Sequence, residues 1–281
     1  MKNITVSVII PSFNRAHLLP TVIPSYNQQY VSEIIIIDDK STDNTKEIVK
    51  ELMQSIPIIR YNKSKKKIRQ TGAKNIGIKM AKGDYCYFGD DDGVLKPGSI
   101  KSLVKNALQH KDSLIASRHI YMNKTQDLNE LLLDKNVIHD YSLSTFYNKD
   151  TMKLYTYPKV DELVELPFCQ AHFLIATSIA KSQLFNERFV GTCYREETDY
   201  IMQLCKKGHR VFLDFDSLSI DLPRDKSKGG IRSVGFMLRH IGEAYNEYMF
   251  YKRNRPYLKK IANLNTSPIY RSLTHLFKKV L

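Results

Sequence analysis

The feature that most restricts this chain is the run Ile34-Ile35-Ile36-Ile37, apolar and β-branched throughout, which closes on Asp38-Asp39. A strand with one wet face alternates polar and apolar residues. A strand without alternation is covered on both faces, as in the middle of a mostly parallel sheet. The flanking sequence agrees, with short apolar runs at Ile4 to Ile10, Pro57 to Tyr61, Tyr85 to Gly89 and Ser113 to Tyr121. Between them lie helix-like stretches at Leu18 to Gln29, Asn44 to Gln54, Gln70 to Met80 and Gly98 to Gln109. This rhythm predicts an α/β fold, a Rossmann-like central sheet with helices on both faces.

In such a sheet, ligands collect at the carboxyl ends of the strands. Three loops therefore become candidates and should open on one edge: Pro11 to Arg15, Asp38 to Ser41, and Asp90-Asp91-Asp92 before Gly93. Three adjacent carboxylates repel unless a cation or a proton relieves them. Oxygen-only ligands of this kind suit magnesium or manganese, and an Asp-rich turn accounts for the same residues without a metal. Asp38 and Asp39 fit contacts to a ribose or base, while Ser41, Thr42 or Asp43 fit a cap on the helix that follows. The chain has neither GxGxxG after its first strand nor GxxxxGK[ST], which excludes P-loop chemistry and argues against a dinucleotide dehydrogenase.

Charge enters here. The 281 residues carry 43 Lys and Arg against 29 Asp and Glu, a net +14 that favours polyanionic partners. Part of the excess is the run Lys63, Lys65, Lys66, Lys67 and Arg69, which leads into a helix with Gly72 near its first turn. There, backbone N–H groups and the helix dipole attract an anion, and Arg69 and Lys74 could meet a diphosphate. A solvated basic loop is the plainer reading. The four cysteines show no paired spacing and read as buried reduced thiols. With no apolar run long enough to span a bilayer and no leader-like start, the expected setting is the cytosol.

Pattern weakens from Asn123 to Glu165. It returns as a strand at His172 to Ala176, helices at Ser178 to Phe185 and Glu196 to Lys206, and a strand at Val211 to Phe215. A helical tail is expected from about Ile231, interrupted by Pro256 and Pro268. His172, before an apolar run, reads as a satisfied interior histidine, and His110, His119, His139 and His209 lack metal-ligand spacing.

The segments Val8 to Arg15, Ile37 to Asp43, Ala73 to Gly77 and Asp90 to Asp92 with Pro97 together resemble the family 2 glycosyltransferases of the GT-A fold, in order and spacing across roughly the first 110 residues. Arg195 to Asp199 is similar, more weakly, to the family's acidic pair at a helix start. The resemblance implies a nucleotide-sugar donor, most often a UDP-sugar, and a glycan or lipid-linked acceptor. It places Pro11, Phe13 and Asp39 at the base, and Arg15 with Arg69 or Lys74 near ribose or phosphate. Asp90 and Asp91 fall at the ribose or sugar, and Asp92 on a divalent cation, Mn2+ or Mg2+. Glu197 becomes the general base of an inverting transfer and Glu196 an acceptor contact. By spacing alone, acids in a first helical turn also serve the macrodipole, which is the reading kept for Asp199.

The implied division is a glycosyltransferase domain over 1–223, with a nucleotide-sugar half at 1–122 and an acceptor half at 123–223, followed by a lid loop and helical tail at 224–281. Relatives often carry a histidine after the last strand, which is absent here; Arg224 to Arg232, with Gly229-Gly230, fits a lid over the diphosphate or a plain flexible loop. The C-terminal helix gathers Ile269, Leu273, Leu276, Phe277 and Val280 on one face, suited to peripheral membrane contact or to packing on the domain or in a homodimer. Two rival functions are a sugar-nucleotide nucleotidyltransferase and a non-catalytic basic module for membrane or nucleic acid. The favoured reading involves no nucleic acid.

Overall fold

The isoleucine-rich segments take interior positions in the sheet, covered on both faces. In the computed structural model, which describes residues 3–133, 146–148, 152–154, 160–169, 171–230, 235–264 and 266–280, the strands are β1 (Val6–Ser12), β2 (Val31–Asp38), β3 (Ile59–Lys63), β4 (Tyr85–Phe88), β5 (Gly93–Leu95), β6 (Leu114–Tyr121), β7 (Tyr147–Asn148), β8 (Lys153–Leu154), β9 (Val164–Leu166), β10 (Phe173–Ala176) and β11 (Val211–Asp221). The helices are α1 (Leu19–Val22), α2 (Thr45–Ser55), α3 (Arg69–Met80), α4 (Ser99–Gln109), α5 (Leu128–Leu132), α6 (Thr177–Ser182), α7 (Glu196–Lys206), α8 (Phe236–Ala262) and α9 (Pro268–Val280).

The main sheet runs β3-β2-β1-β4-β10-β6-β11-β5, with β9 also on β11. β3, β2, β1 and β4 are mutually parallel, so the loops after β1, β2 and β4 leave from one edge as expected. β10 enters antiparallel between β4 and β6, and β5 closes antiparallel on the far end of β11. Alternation explains why β2 has no polar face: Ile34 and Ile36 join one core and Ile35 and Ile37 the other. Each such fully buried side chain contributes about 1.5–3 kcal/mol. α3 lies so close to β1 that a Cβ on Gly77 would stand 2.3 Å from Ile9 Cγ2, which only glycine tolerates.

Several expected boundaries move. β11 does not stop at Phe215; its pairing with β6 shifts register between Asp214 and Leu218 and then continues to Asp221. α8 runs through Pro256 rather than breaking there, and Pro268 opens α9 as a first-turn proline. The expected Ser178 to Phe185 helix is the shorter α6. Of the weakly patterned Asn123 to Glu165 stretch, α5, β7, β8 and part of β9 are described; 134–145, with His139, lie outside the described residues, as do Ile231 and Arg232 of the expected lid. The four cysteines are free, and three are buried. Among the described residues no helix is long and apolar enough to cross a membrane.

Candidate active site

Asp90, Asp91 and Asp92 occupy the turn between β4 and β5, held from behind by Tyr26. The Tyr26 hydroxyl donates to the Gly93 carbonyl at 2.9 Å and accepts the Asp90 N–H at 3.2 Å. Pairing of β5 with β11 sets Gly93 opposite Asp221, so a fourth carboxylate joins the triplet. Two histidines complete the group: His119 Nε2 is 3.0 Å from Asp221 Oδ1, and His172 Nε2 is 3.7 Å from Asp221 and 3.6 Å from Asp90.

Such crowding has electrostatic consequences. Burial first, then Asp221, Asp91 and Asp90, push the Asp92 carboxyl up to about 7, against the opposing Arg15. Burial also disfavours charge on Asp221, but His119 and His172 reverse that and hold it well below the carboxylate range. Arg15 Nη1 bridges Asp91 at 2.5 Å and Asp92 at 3.0 Å. Burial opposes its charge, and the carboxylates overrule burial and keep the guanidinium protonated.

At the other end lie Pro11, Phe13 and Asp39. The Lys67 ammonium sits 2.6 Å from the centre of the Phe13 ring and 3.1 Å from Asp39 Oδ2. Asp39 also accepts the N–H groups of Ile68 at 2.6 Å and Arg69 at 3.1 Å. Asp39 thus supplies an anion at the α3 N-terminus. The backbones of Arg69, His172 and Arg195 are all left-handed, with φ of 60°, 62° and 73°; strain of this kind gathers at functional sites.

Glu196 and Glu197 open α7. Lys74, fully buried on α3, reaches Glu196 Oε1 at 2.9 Å and also binds Glu197. Burial raises the Glu196 carboxyl to about 8 although Lys74 pulls the other way. Behind the pair, Asp199 ties α7 to α8 through Asn254 at 2.6 Å and Arg253 at 3.2 Å, a structural duty.

One cavity of about 510 Å³ gathers Pro11, Phe13, Arg15, Asp39, Arg69, Asp90, Asp91, Asp92 and Glu197. Two expected residues do not line it. Lys74 lies behind the wall, bound to the glutamates rather than near a phosphate, and Glu196 faces Lys74 rather than an acceptor. Sequence reasoning missed Asp221, His119, His172 and Lys67. Asp221 had a signal, since Leu218 and Ile220 alternate with Ser219 and Asp221 as in a strand. His172 is interior as expected but not satisfied: neither ring nitrogen has a hydrogen bond. Gly229 and Gly230 pack against the first loop, where a Cβ on Gly229 would stand 2.1 Å from the Asn14 carbonyl.

The group fits a divalent cation. Both His172 nitrogens are buried polar atoms without hydrogen bonds, and among the described residues His119, His172 and Asp221 present ligand atoms within 4.8 Å of one another. Four carboxylates against one paired arginine leave negative charge for such an ion.

A family model described as Glycosyl transferase family 2 matches residues 7–164. A similar curated protein is the GalNAc(5)-diNAcBac-PP-undecaprenol beta-1,3-glucosyltransferase of Campylobacter jejuni, 29% identical over 79% of this chain and 68% of its own length. Among solved structures, S. aureus TarS 1-349 in complex with UDP-GlcNAc matches 99% of this chain and 82% of its own, at TM-score 0.58 and 15% identity. The mannosyltransferase PcManGT of Pyrobaculum calidifontis, in complex with GDP-Man and Mn2+, matches 100% of this chain and 76% of its own, at TM-score 0.63 and 14% identity. The curled, mostly parallel sheet flanked by helices is thus that of the GT-A glycosyltransferases.

Proposed function

The chain belongs to glycosyl transferase family 2, and from that premise we propose that it moves a sugar, with inversion, from a nucleotide diphosphate donor to a hydroxyl of a glycan or lipid-linked acceptor in bacterial-type surface polysaccharide synthesis. Glycosyltransferase membership sets aside the nucleotidyltransferase and the non-catalytic module. The observation that carries the reading is the single cavity joining an acidic, histidine-backed edge to Glu197. A UDP-sugar is the donor we favour, supported by the UDP-GlcNAc complex of a structural neighbour.

In this reading Phe13 and Pro11 bed the base once Lys67 swings off the Phe13 ring, and Asp39 holds the α3 N-terminus beside it. Arg15 and Arg69 face ribose and phosphate, and Asp90 and Asp91 the ribose or sugar. Asp92 and Asp221, with His172 and His119 behind, would hold a Mn2+ or Mg2+ ion, which when bound neutralises charge on the departing diphosphate. Glu197 takes the proton of the incoming hydroxyl, a contribution of order 10²–10⁴ in rate, and Lys74 orients it. Glu196, turned to the same lysine, positions that pair.

Residues 1–122 and 123–223 act as donor and acceptor halves of one domain, although β10 and β11 of the second half complete the sheet of the first. Residues 224–230 fold down over the first loop as a lid, with Lys226 O 3.1 Å from His17 Nε2. The exposed apolar side chains Phe236, Met237, Leu238, Ile241, Ile269 and Phe277 support peripheral docking on a bilayer. A donor screen by UDP release with and without Mn2+ tests the reading. Glu197→Gln should retain donor binding and lose transfer by at least about a hundredfold; near-normal turnover would remove Glu197 from the base role.

A further inference from the structure

Part of the cavity wall comes from the two C-terminal helices, through Arg239, His240, Glu243 and His275. None of these serves the transfer outlined above. His240 and Glu243 stand three residues apart on one face of α8, and His275 reaches them from α9. Glu243 Oε2 is 3.1 Å from His240 Nδ1 and 3.3 Å from His275 Nε2. Among the described residues, these three side chains present ligand atoms within 4.8 Å of one another.

Those spacings match coordination as well as hydrogen bonding. Around a tetrahedral zinc ion with bonds of about 2.0–2.1 Å, neighbouring ligand atoms are separated by about 3.3 Å. The far nitrogen of His275, Nδ1, is 3.7 Å from Glu247 Oε1, and Glu247 is in turn held by Arg195 at 3.3 Å. A metal-binding histidine commonly has a carboxylate on its other nitrogen, which fixes its tautomer and raises its basicity. Two imidazoles and one carboxylate favour zinc; the other edge also offers His119 and His172, but Asp90, Asp91 and Asp92 crowd beside Asp221 there and tilt it toward magnesium or manganese.

We propose that His240, Glu243 and His275 form a second metal site, selective for zinc, whose fourth position faces the cavity and which fastens α9 to α8. Coordination through His240 Nδ1 leaves the proton on Nε2, where the Arg239 guanidinium now stands at 3.4 Å. Arg239 is partly exposed and turns outward on loading. Zinc thus completes the wall beside Glu197 without sharing a ligand with the cation at Asp92.

The test uses the full chain, stripped with chelator and titrated with ZnCl2, and with CoCl2 to read tetrahedral geometry from its visible absorption. One equivalent of zinc should bind at micromolar concentration or below, raise the melting temperature and persist both in Asp92→Asn and in Asp221→Asn, which disables the His119/His172/Asp221 group. His275→Ala should weaken zinc by more than the about 10–100-fold typical of an outer-layer partner, and Glu247→Gln by about that amount. Because His275→Ala could also loosen α9, His275→Cys is the control: a thiolate restores the third ligand and shifts the cobalt spectrum. No zinc binding, binding lost in Asp92→Asn or Asp221→Asn but kept in His275→Ala, or a silent His275→Cys would each overturn the proposal.

Discussion

Cation binding at the acidic edge should be steeply dependent on pH, and the size of the effect follows from Asp92. Its carboxyl titrates at about 7 because it is buried beside Asp221, Asp91 and Asp90, so a cation that requires the carboxylate must first displace a proton. Ionisation falls from about nine-tenths at pH 8 to about one-tenth at pH 6, so the Mn2+ dissociation constant should rise about tenfold, or about 1.4 kcal/mol. His172 adds to this. Burial would lower its pKa, but Asp221 and Asp90 raise it, so its proton too opposes a cation as pH falls. The same shift acts on stability with its own sign: protonated Asp92 favours the fold, and that contribution is lost as pH rises from its ordinary 3.8 to about 7. Bound cation then recovers the loss. Calorimetric titration with Mn2+ at several pH values, in two buffers of different ionisation enthalpy, reads both affinity and protons released. Affinity constant from pH 8 to pH 6, with no proton release, would refute the reasoning.

Three further outcomes are expected. Arg15→Ala leaves Asp91 and Asp92 buried without their partner, so unfolding free energy should fall by about 3–5 kcal/mol without divalent cation and by less with Mn2+. An equal loss in both conditions, by urea melts, would show that Arg15 and the cation do not share those acids. Lys74→Met should cost about 3–5 kcal/mol, because two glutamates at the head of α7 lose their common cation; a loss under about 1 kcal/mol would mean the ion pairs carry no net stabilisation. Truncation at Ser267 should abolish sedimentation with anionic vesicles, and sedimentation unchanged from the full chain would move membrane contact away from α9.

The strand-end side of the cavity was largely legible in sequence because its residues sit on consecutive loops after parallel strands, where order along the chain is order along the edge. Ile34 to Ile37 fixed the two-sided burial, and the carboxylate triplet fell on that edge without any knowledge of tertiary contacts. Asp221 and His172 were not found this way. They reach the edge by antiparallel returns, β10 inserted between β4 and β6 and β11 paired with β5, and no local period reports which distant strand end a residue will face. Lys74 was misplaced for a related reason: a lysine near a helix start reads as a phosphate ligand, and only packing of α3 against α7 reveals the glutamates it neutralises. Pro256 misled because a proline is a local signal, whereas α8 is held by packing against α7 and α9.

Whether Asp92 grips a cation that in turn secures the donor diphosphate is settled most directly by calorimetry of UDP with and without Mn2+, on the wild-type chain and on Asp92→Asn. Mn2+ should tighten UDP binding by at least about tenfold in the wild type, and that gain should vanish in the variant. An equal Mn2+ gain in both proteins, or none in the wild type, would contradict it.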